Sequence, residues 1–280
     1  MEPRSYANAP VGLNFLIAAY GYSWGDVLLD PSLPIANADA KVNSIALGYS
    51  RVLELWGKSG TVAVVLPYAT VSASGDVEGQ PASVERSGYA DLGMRLAVNL
   101  YGAPALSLEE FRDYRQDTIV GVSLLVTAPT GHYDPTKLVN IGTNRWSFKP
   151  EAGVSKVLGA WTLEGAFGVT FFTDNDQFLG SNVRQQDPLY ALQGHAIYNF
   201  NPGLWGALDA TYYAGGRTSV NGSANDDRKQ NSRWGATLAQ SLNSRNSIKL
   251  YFSTGASART GTDFKTAGIA WQYRWGAGLH

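Results

Sequence analysis

At 280 residues the chain has a formal net charge of −1 and only 16% charged residues, below the ~25% usual in soluble domains. Its Lys and Arg are scattered rather than clustered, which argues against a nucleic-acid partner, and the absence of cysteine removes disulfides and thiolate metal sites. No apolar run reaches the ~18–20 residues of a transmembrane helix; the longest are 62–67 and 119–126.

The first ten residues, MEPRSYANAP, lack the apolar core of a signal peptide. If the chain belongs to an outer membrane, it is read as the mature form, with Met1 standing where a leader was removed. The first strand is expected over Val11 to Tyr22. Leu13, Phe15, Ile17 and Ala19 share one face; Asn14, Ala18, Tyr20 and Tyr22 share the other. A polar, acidic loop follows, with Asp26, Asp30, Pro31, Pro34 and Asp39. The second strand, Val42 to Trp56, turns Ile45, Leu47, Tyr49, Leu53 and Leu55 outward. Arg51 shares that face, which only a place near the headgroups or a change of register explains.

GKSG at 57–60 is a tight turn into a third strand, Thr61 to Val71, and a Ser/Gly-rich loop comes next. Asp91 to Tyr101 alternates well and makes the fourth strand. The one helical signal is Ser107 to Arg115, where Ser107 and Glu110 have the spacing of a capping box. The fifth strand is Thr118 to Ala128 and the sixth Arg145 to Val157, with Lys149 and Glu151 on its polar side.

The seventh strand, Trp161 to Phe172, shows the design most plainly. Trp161, Leu163, Phe167, Val169 and Phe171 alternate with small or polar residues, and Glu164 sits on the wet face. A period of two means a strand with one face in each environment. Leu189–Phe200, Leu204–Tyr213, Arg233–Leu242, Ser247–Ala256 and Thr266–Trp275 complete twelve strands. Twelve is even, as in single-chain bacterial barrels. Connections after strands 2, 6, 8 and 10 are short, and those after 1, 3, 5, 7, 9 and 11 are longer and polar. Only the helix-bearing link after strand 4 breaks the rhythm. Short turns at one end and long loops at the other is the layout of outer-membrane barrels. The whole of residues 1–280 is therefore expected to form a single antiparallel, up-and-down transmembrane β-barrel with one short periplasmic helix.

With the apolar faces in lipid, the wet faces line a lumen. Glu54, Asp91, Glu151, Glu164 and Asp209 fall there, with Arg95, Lys149, Arg233, Lys249 and Arg274, so the signs balance. His195, the one histidine within a strand, joins them. These residues make a candidate solute pathway whose internal field orients a polar or amphiphilic solute. The competing reading is a salt-bridged plug filling a narrow barrel, its extracellular loops contacting partners or neighbouring chains. Trp146, Tyr190, Tyr212 and Trp234 at the long-loop ends, and Tyr101, Trp161, Phe200, Tyr273 and Trp275 at the short-turn ends, are placed for the two headgroup levels. A lipid-hydrolysing barrel needs a histidine beside a serine on the lipid-facing wall; His195 points the other way, so no enzymatic activity is expected. Asp174–Asp176 and Asn225–Asp227 offer oxygen ligands without an EF-hand pattern, and are read as solvated loop tips. No cofactor or metal is expected. The expected partners are outer-membrane lipid, lipopolysaccharide and a small solute.

Several segments carry a resemblance: NAPVG at 8–12, VVLPYA at 64–69, NLYGAPALSLEEF at 99–111, TNRWSFKPEAGVSK at 143–156, TFFTDNDQF at 170–178 and AWQYRW at 270–275. They resemble the outer-membrane proteins grouped as transporters of the MetA pathway of phenol degradation. That resemblance implies a bacterial outer-membrane barrel passing small solutes, aromatic or hydrophobic compounds among them. It assigns no binding residue. The C-terminus departs from the usual barrel ending, since Gly-Ala-Gly-Leu-His follows the last aromatic, Trp275.

Overall fold

The computed structural model describes residues 2–26, 35–259 and 263–279. Twelve strands form the wall: β1 (Leu13–Asp26), β2 (Ile35–Leu55), β3 (Lys58–Val77), β4 (Gln80–Tyr89, continued by Leu92–Tyr101), β5 (Thr118–Ala128) and β6 (Ser147–Leu158). The others are β7 (Trp161–Phe172), β8 (Leu189–Asn201), β9 (Leu204–Gly215), β10 (Lys229–Ser241), β11 (Asn246–Ser257) and β12 (Asp263–Gly276). Each pairs antiparallel with its neighbours in sequence, and β12 returns to β1 from Leu13↔Gly276 to Asp26↔Asp263. The barrel is closed. Closure is what hydrocarbon demands, because an unpaired strand edge would leave N–H and C=O groups without partners at several kcal/mol each.

The pleat sorts the side chains as alternation predicts. On the outer face Leu192, Leu208, Phe167 and Leu250 are widely exposed, while Ala191, Ile197, Asp209 and Thr211 on the inner face are buried. Arg51 does lie outward, in register with Asn14 and Val62 close to the short-turn end. Lys41, ten residues away on the same face of β2, is exposed at the other end. Ten residues at ~3.3 Å each, tilted ~40°, rise ~25 Å, the height of an outer-membrane apolar band. The two cations bracket that band.

Four expectations need correction. In β1 the face carrying Leu13, Phe15, Ile17 and Ala19 turns inward, since Ile17 is level with the lumenal Gln272, and Leu16, Ala18, Tyr20 and Tyr22 meet lipid. Both faces of this strand are apolar, so alternation alone could not orient it. Asp26 and Asp39 belong to β1 and β2 rather than to a loop; Asp30, Pro31 and Pro34 lie outside the described residues. The Ser/Gly-rich stretch after the third strand is a projecting hairpin. It turns at Glu78–Gly79, both with positive φ (52° and 79°), as a two-residue hairpin turn requires. Finally, the expected nine-residue helix shrinks to one 3-10 turn, Glu110–Arg112. The capping interaction survives, with Ser107 N and Oγ both 2.8 Å from Glu110 Oε2, but Tyr114 turns away to donate to Gly102 O at 2.6 Å.

Two polar loops add structure outside the wall, and a further correction falls there: Asp174–Asp176 and Asn225–Asp227 are not simply solvated tips, since Asn175 and Asp227 are buried, Asp227 accepting from Thr218 N and Oγ1. Asn175–Phe178 and Asn182–Gln186 join Thr218–Val220 and Ser223–Ala224 in a four-stranded sheet over the long-loop end.

Leu192→Arg and Gln193→Arg test the sorting of faces. Leu192 meets lipid, where Arg costs up to about 2–4 kcal/mol; Gln193 lies within 3.1 Å of Glu151, which would pair with the new cation. The first variant should lose most of its folded, heat-modifiable species on an unboiled gel. The second should retain it.

Candidate solute pathway and the strap across it

The segment before β1 does not hang free. Residues 2–10 enter the barrel at the short-turn end and cross its bore. The path begins where Val11 N and Gly12 N donate to Leu106 O (2.8 Å) and Val52 O (3.0 Å). Asn8 Nδ2 then donates to Pro104 O (3.2 Å) and Asn99 Nδ2 to Tyr6 O (3.2 Å). Tyr6 is 3% exposed. Further on, Arg4 N donates to Glu164 Oε2 at 2.7 Å, its guanidinium bonds Asn199 and lies 4.6 Å over Trp205, and Glu2 meets Lys249 Nζ at 2.5 Å. These contacts run from β4–β6 past β7–β9 to β11, so the strap reaches from one wall to the other.

The wall is built to admit it. Gly121 and Gly153 are register partners on β5 and β6, both inward. A Cβ on either would lie 2.4 or 2.3 Å from the Tyr6 ring, nearer than real Cβ atoms approach. The ring occupies the dent that two glycines leave, against Ala103 and Ile119.

Above the strap lies a chamber of about 240 Å³ lined by Tyr6, Arg95, Ser123, Leu125, Lys149, Glu151, Glu164, Gln193 and His195. Glu151 is its hub. It accepts from Lys149 Nζ at 2.6 Å, Tyr6 OH at 3.0 Å and Gln193 Nε2 at 3.1 Å, with Arg95 4.0 Å away. Hydrogen bonds to a charged group are worth about 1.5–3 kcal/mol each, so one carboxylate ties strap and wall together. Glu164 takes Ser155 Oγ at 3.0 Å besides Arg4 N. Behind it, His195 Nδ1 and Asp209 Oδ1 are 2.6 Å apart, and Thr237 Oγ1 donates to Asp209 Oδ2 at 3.0 Å. Below the strap a second chamber of about 420 Å³ is bounded by Phe15, Ile17, Trp205, Arg245, Lys249, Gln272 and Arg274.

Of the eleven lumenal candidates, Arg95, Lys149, Glu151, Glu164 and His195 line the upper chamber, and Lys249 and Arg274 the lower. Asp209 is buried beneath His195. The other three do different work. Asp91 accepts Gly131 N (2.9 Å), Thr143 N (2.9 Å) and Thr143 Oγ1 (2.6 Å), anchoring the 129–146 loop at the break in β4. Arg233 stacks on Phe264 at 4.1 Å and reaches Ser253. Glu54 is exposed near the short-turn rim, opposite Ser59. Tyr6 and Arg4, absent from the candidates, are the residues that close the bore. The signal for Tyr6 was the facing pair of inward glycines.

Comparison with known proteins bears on the fold and the family. The family described as "Putative MetA-pathway of phenol degradation" matches residues 27–273. Among solved structures, an outer membrane channel from Pseudomonas putida F1 superposes with a TM-score of 0.84 at 23% identity, covering 98% of this chain and all of that one. The β domain of the Bordetella autotransporter BrkA gives 0.53 at 13% identity, covering 95% and 100%. The transport unit of the autotransporter AIDA-I from Escherichia coli gives 0.52 at 9%, covering 98% and 92%. No curated protein sequence matches. At these identities the likenesses establish the closed barrel of bacterial outer membranes.

Replacing Gly153 by Val should expel the Tyr6 ring while leaving the outer wall intact. Trypsin should then cleave after Arg4 faster than in the wild type, with the folded gel band unchanged. Unaltered cleavage would mean that the glycine pair does not seat the strap.

Proposed function

The chain belongs to the family described as "Putative MetA-pathway of phenol degradation", and on that premise we propose that it is an outer-membrane channel for passive uptake of small solutes, held shut in this conformation by its strap. The observation that carries the reading is the division of one polar bore into two chambers by a single short segment. Residues 2–10 belong to no strand of the wall, so their departure breaks no ladder of the barrel. What they would leave behind is a continuous lumen with cations and carboxylates on facing walls.

Solute enters between the long loops, meets Arg95, Lys149 and Glu151 in the upper chamber, and leaves past Lys249 and Arg274. The phenol-degradation context in the family description points to aromatic or otherwise hydrophobic compounds. The balance of signs suits solutes with a polar group to orient and an apolar body to pass. His195 is spoken for by Asp209, and its part in the reading is to hold the wall beside Glu164.

The second reading, a plugged barrel acting through its loops, draws on the same strap. Its contacts to Glu151, Glu164 and Lys249 are those of a permanent filling as much as of a gate. Deleting residues 2–10 separates the two. In planar bilayers the channel reading predicts rare or small openings for the intact chain and a large, sustained current for the deletion variant, with liposome swelling in small neutral solutes. A deletion variant that folds and inserts yet carries no more current than the intact chain would be a structural barrel.

A further inference from the structure

The β3–β4 hairpin projects beyond the wall at the long-loop end, and its inner face does not stand alone. Loop residues 136–139 fold against it, leaving a solvent-open cavity of about 250 Å³ lined chiefly by Ala73, Val77, Ala82, Val84, Leu138 and Val139. Beside it lies a polar cavity of about 330 Å³ bordered by His132, Tyr133, Asp134 and Asn140. Arg86, Lys137 and Val139 line both. An apolar compartment thus adjoins a polar one, with two cations at the boundary.

We propose that these two cavities form one binding site for a monoanionic amphiphile, an aromatic or short-chain carboxylate. Its apolar body lies among Val77, Val84 and Leu138, and its carboxylate on Arg86 and Lys137. Apolar cavities of about 150 Å³ take up benzene, so the apolar compartment admits a substituted ring. Neither cation forms a salt bridge among the described residues. Arg86 Nη1 donates to Glu85 O at 3.1 Å, and its Nε has no hydrogen-bond partner among the described residues, so no carboxylate among them is hydrogen-bonded to its guanidinium. The charge count fits a single negative head. Asp134, whose Oδ1 accepts Thr136 N (2.8 Å) and Oγ1 (2.7 Å), is held below the usual carboxylate range first by those bonds and further by the nearby charges of Lys137 and Arg86. One carboxylate against two cations leaves one positive charge. The site stands outside the membrane band, above both chambers of the bore, so its role as a capture point rests on the channel reading. Its occupancy does not.

Equilibrium binding to the full chain in lipid nanodiscs, against empty nanodiscs, tests it with two probes of one shape: 4-butylbenzoate and the uncharged 4-butylbenzyl alcohol. The benzoate should bind at least about tenfold more tightly. Arg86→Gln and Lys137→Gln should each bring it towards the alcohol while leaving the alcohol unchanged. Deleting residues 2–10 should alter neither affinity, so a failed channel reading would not disturb this result. Equal affinity for the two probes, or benzoate binding untouched by both substitutions, would overturn the proposal.

Discussion

A strand wall in hydrocarbon has no solvent to satisfy its backbone, and that constraint governs everything else here. Each of the twelve strands must find two partners, so β12 returns to β1 along their full described length. Closure then dictates the side chains. Half of each strand faces lipid and must be apolar; the other half faces an interior that a wall of twelve strands makes too wide for its own side chains to fill. The charges of the lumen and the strap that crosses it both answer to that interior.

The strap is held by groups the wall already needed. Glu151 is flanked by Lys149 and Arg95, and a carboxylate in a narrow bore is stable only when so compensated. Tyr6 adds one hydrogen bond to an existing cluster rather than requiring a new one. The same holds for Glu164, which offers one oxygen to Ser155 and the other to Arg4 N. Gating on this plan needs no rearrangement of strands. On the channel reading, the strap would exchange its bonds for water while the ion pairs around Glu151 persist.

Much of this was legible from residues alone, and the reasons differ by element. The Leu189–Phe200 and Trp161–Phe172 strands declared their orientation because each has one polar face. The first strand did not: Leu13, Phe15 and Ile17 are as apolar as Leu16, Ala18 and Tyr20, and only pairing with β12 decides between them. The β3–β4 hairpin was hidden because its many Ser and Gly residues blur the alternation, and the apolar inner face of Ala73, Val77, Ala82 and Val84 is covered by a loop rather than by lipid. The helix from 107 was overread, since a cap without a continuous apolar stripe nucleates a single turn. Asp91 and Arg233 showed the right parity for the lumen, but parity says nothing about the loop or ring each would find. The strap was missed because its residues have no period at all. What announced it was a vacancy, Gly121 facing Gly153, which is visible only once the register is known.

The central claim is that residues 2–10 sit inside the bore. Because the chain has no cysteine, a single thiol reports its surroundings without interference. Ser5→Cys, within the strap, and Glu109→Cys, on an exposed turn at the same end, can be compared for their rates with a bulky, membrane-impermeant maleimide in detergent. The account predicts that the thiol at position 5 reacts far more slowly than the one at 109, and that denaturing the barrel makes the two rates equal. Equal rates in the folded barrel would place the segment outside the lumen and contradict it.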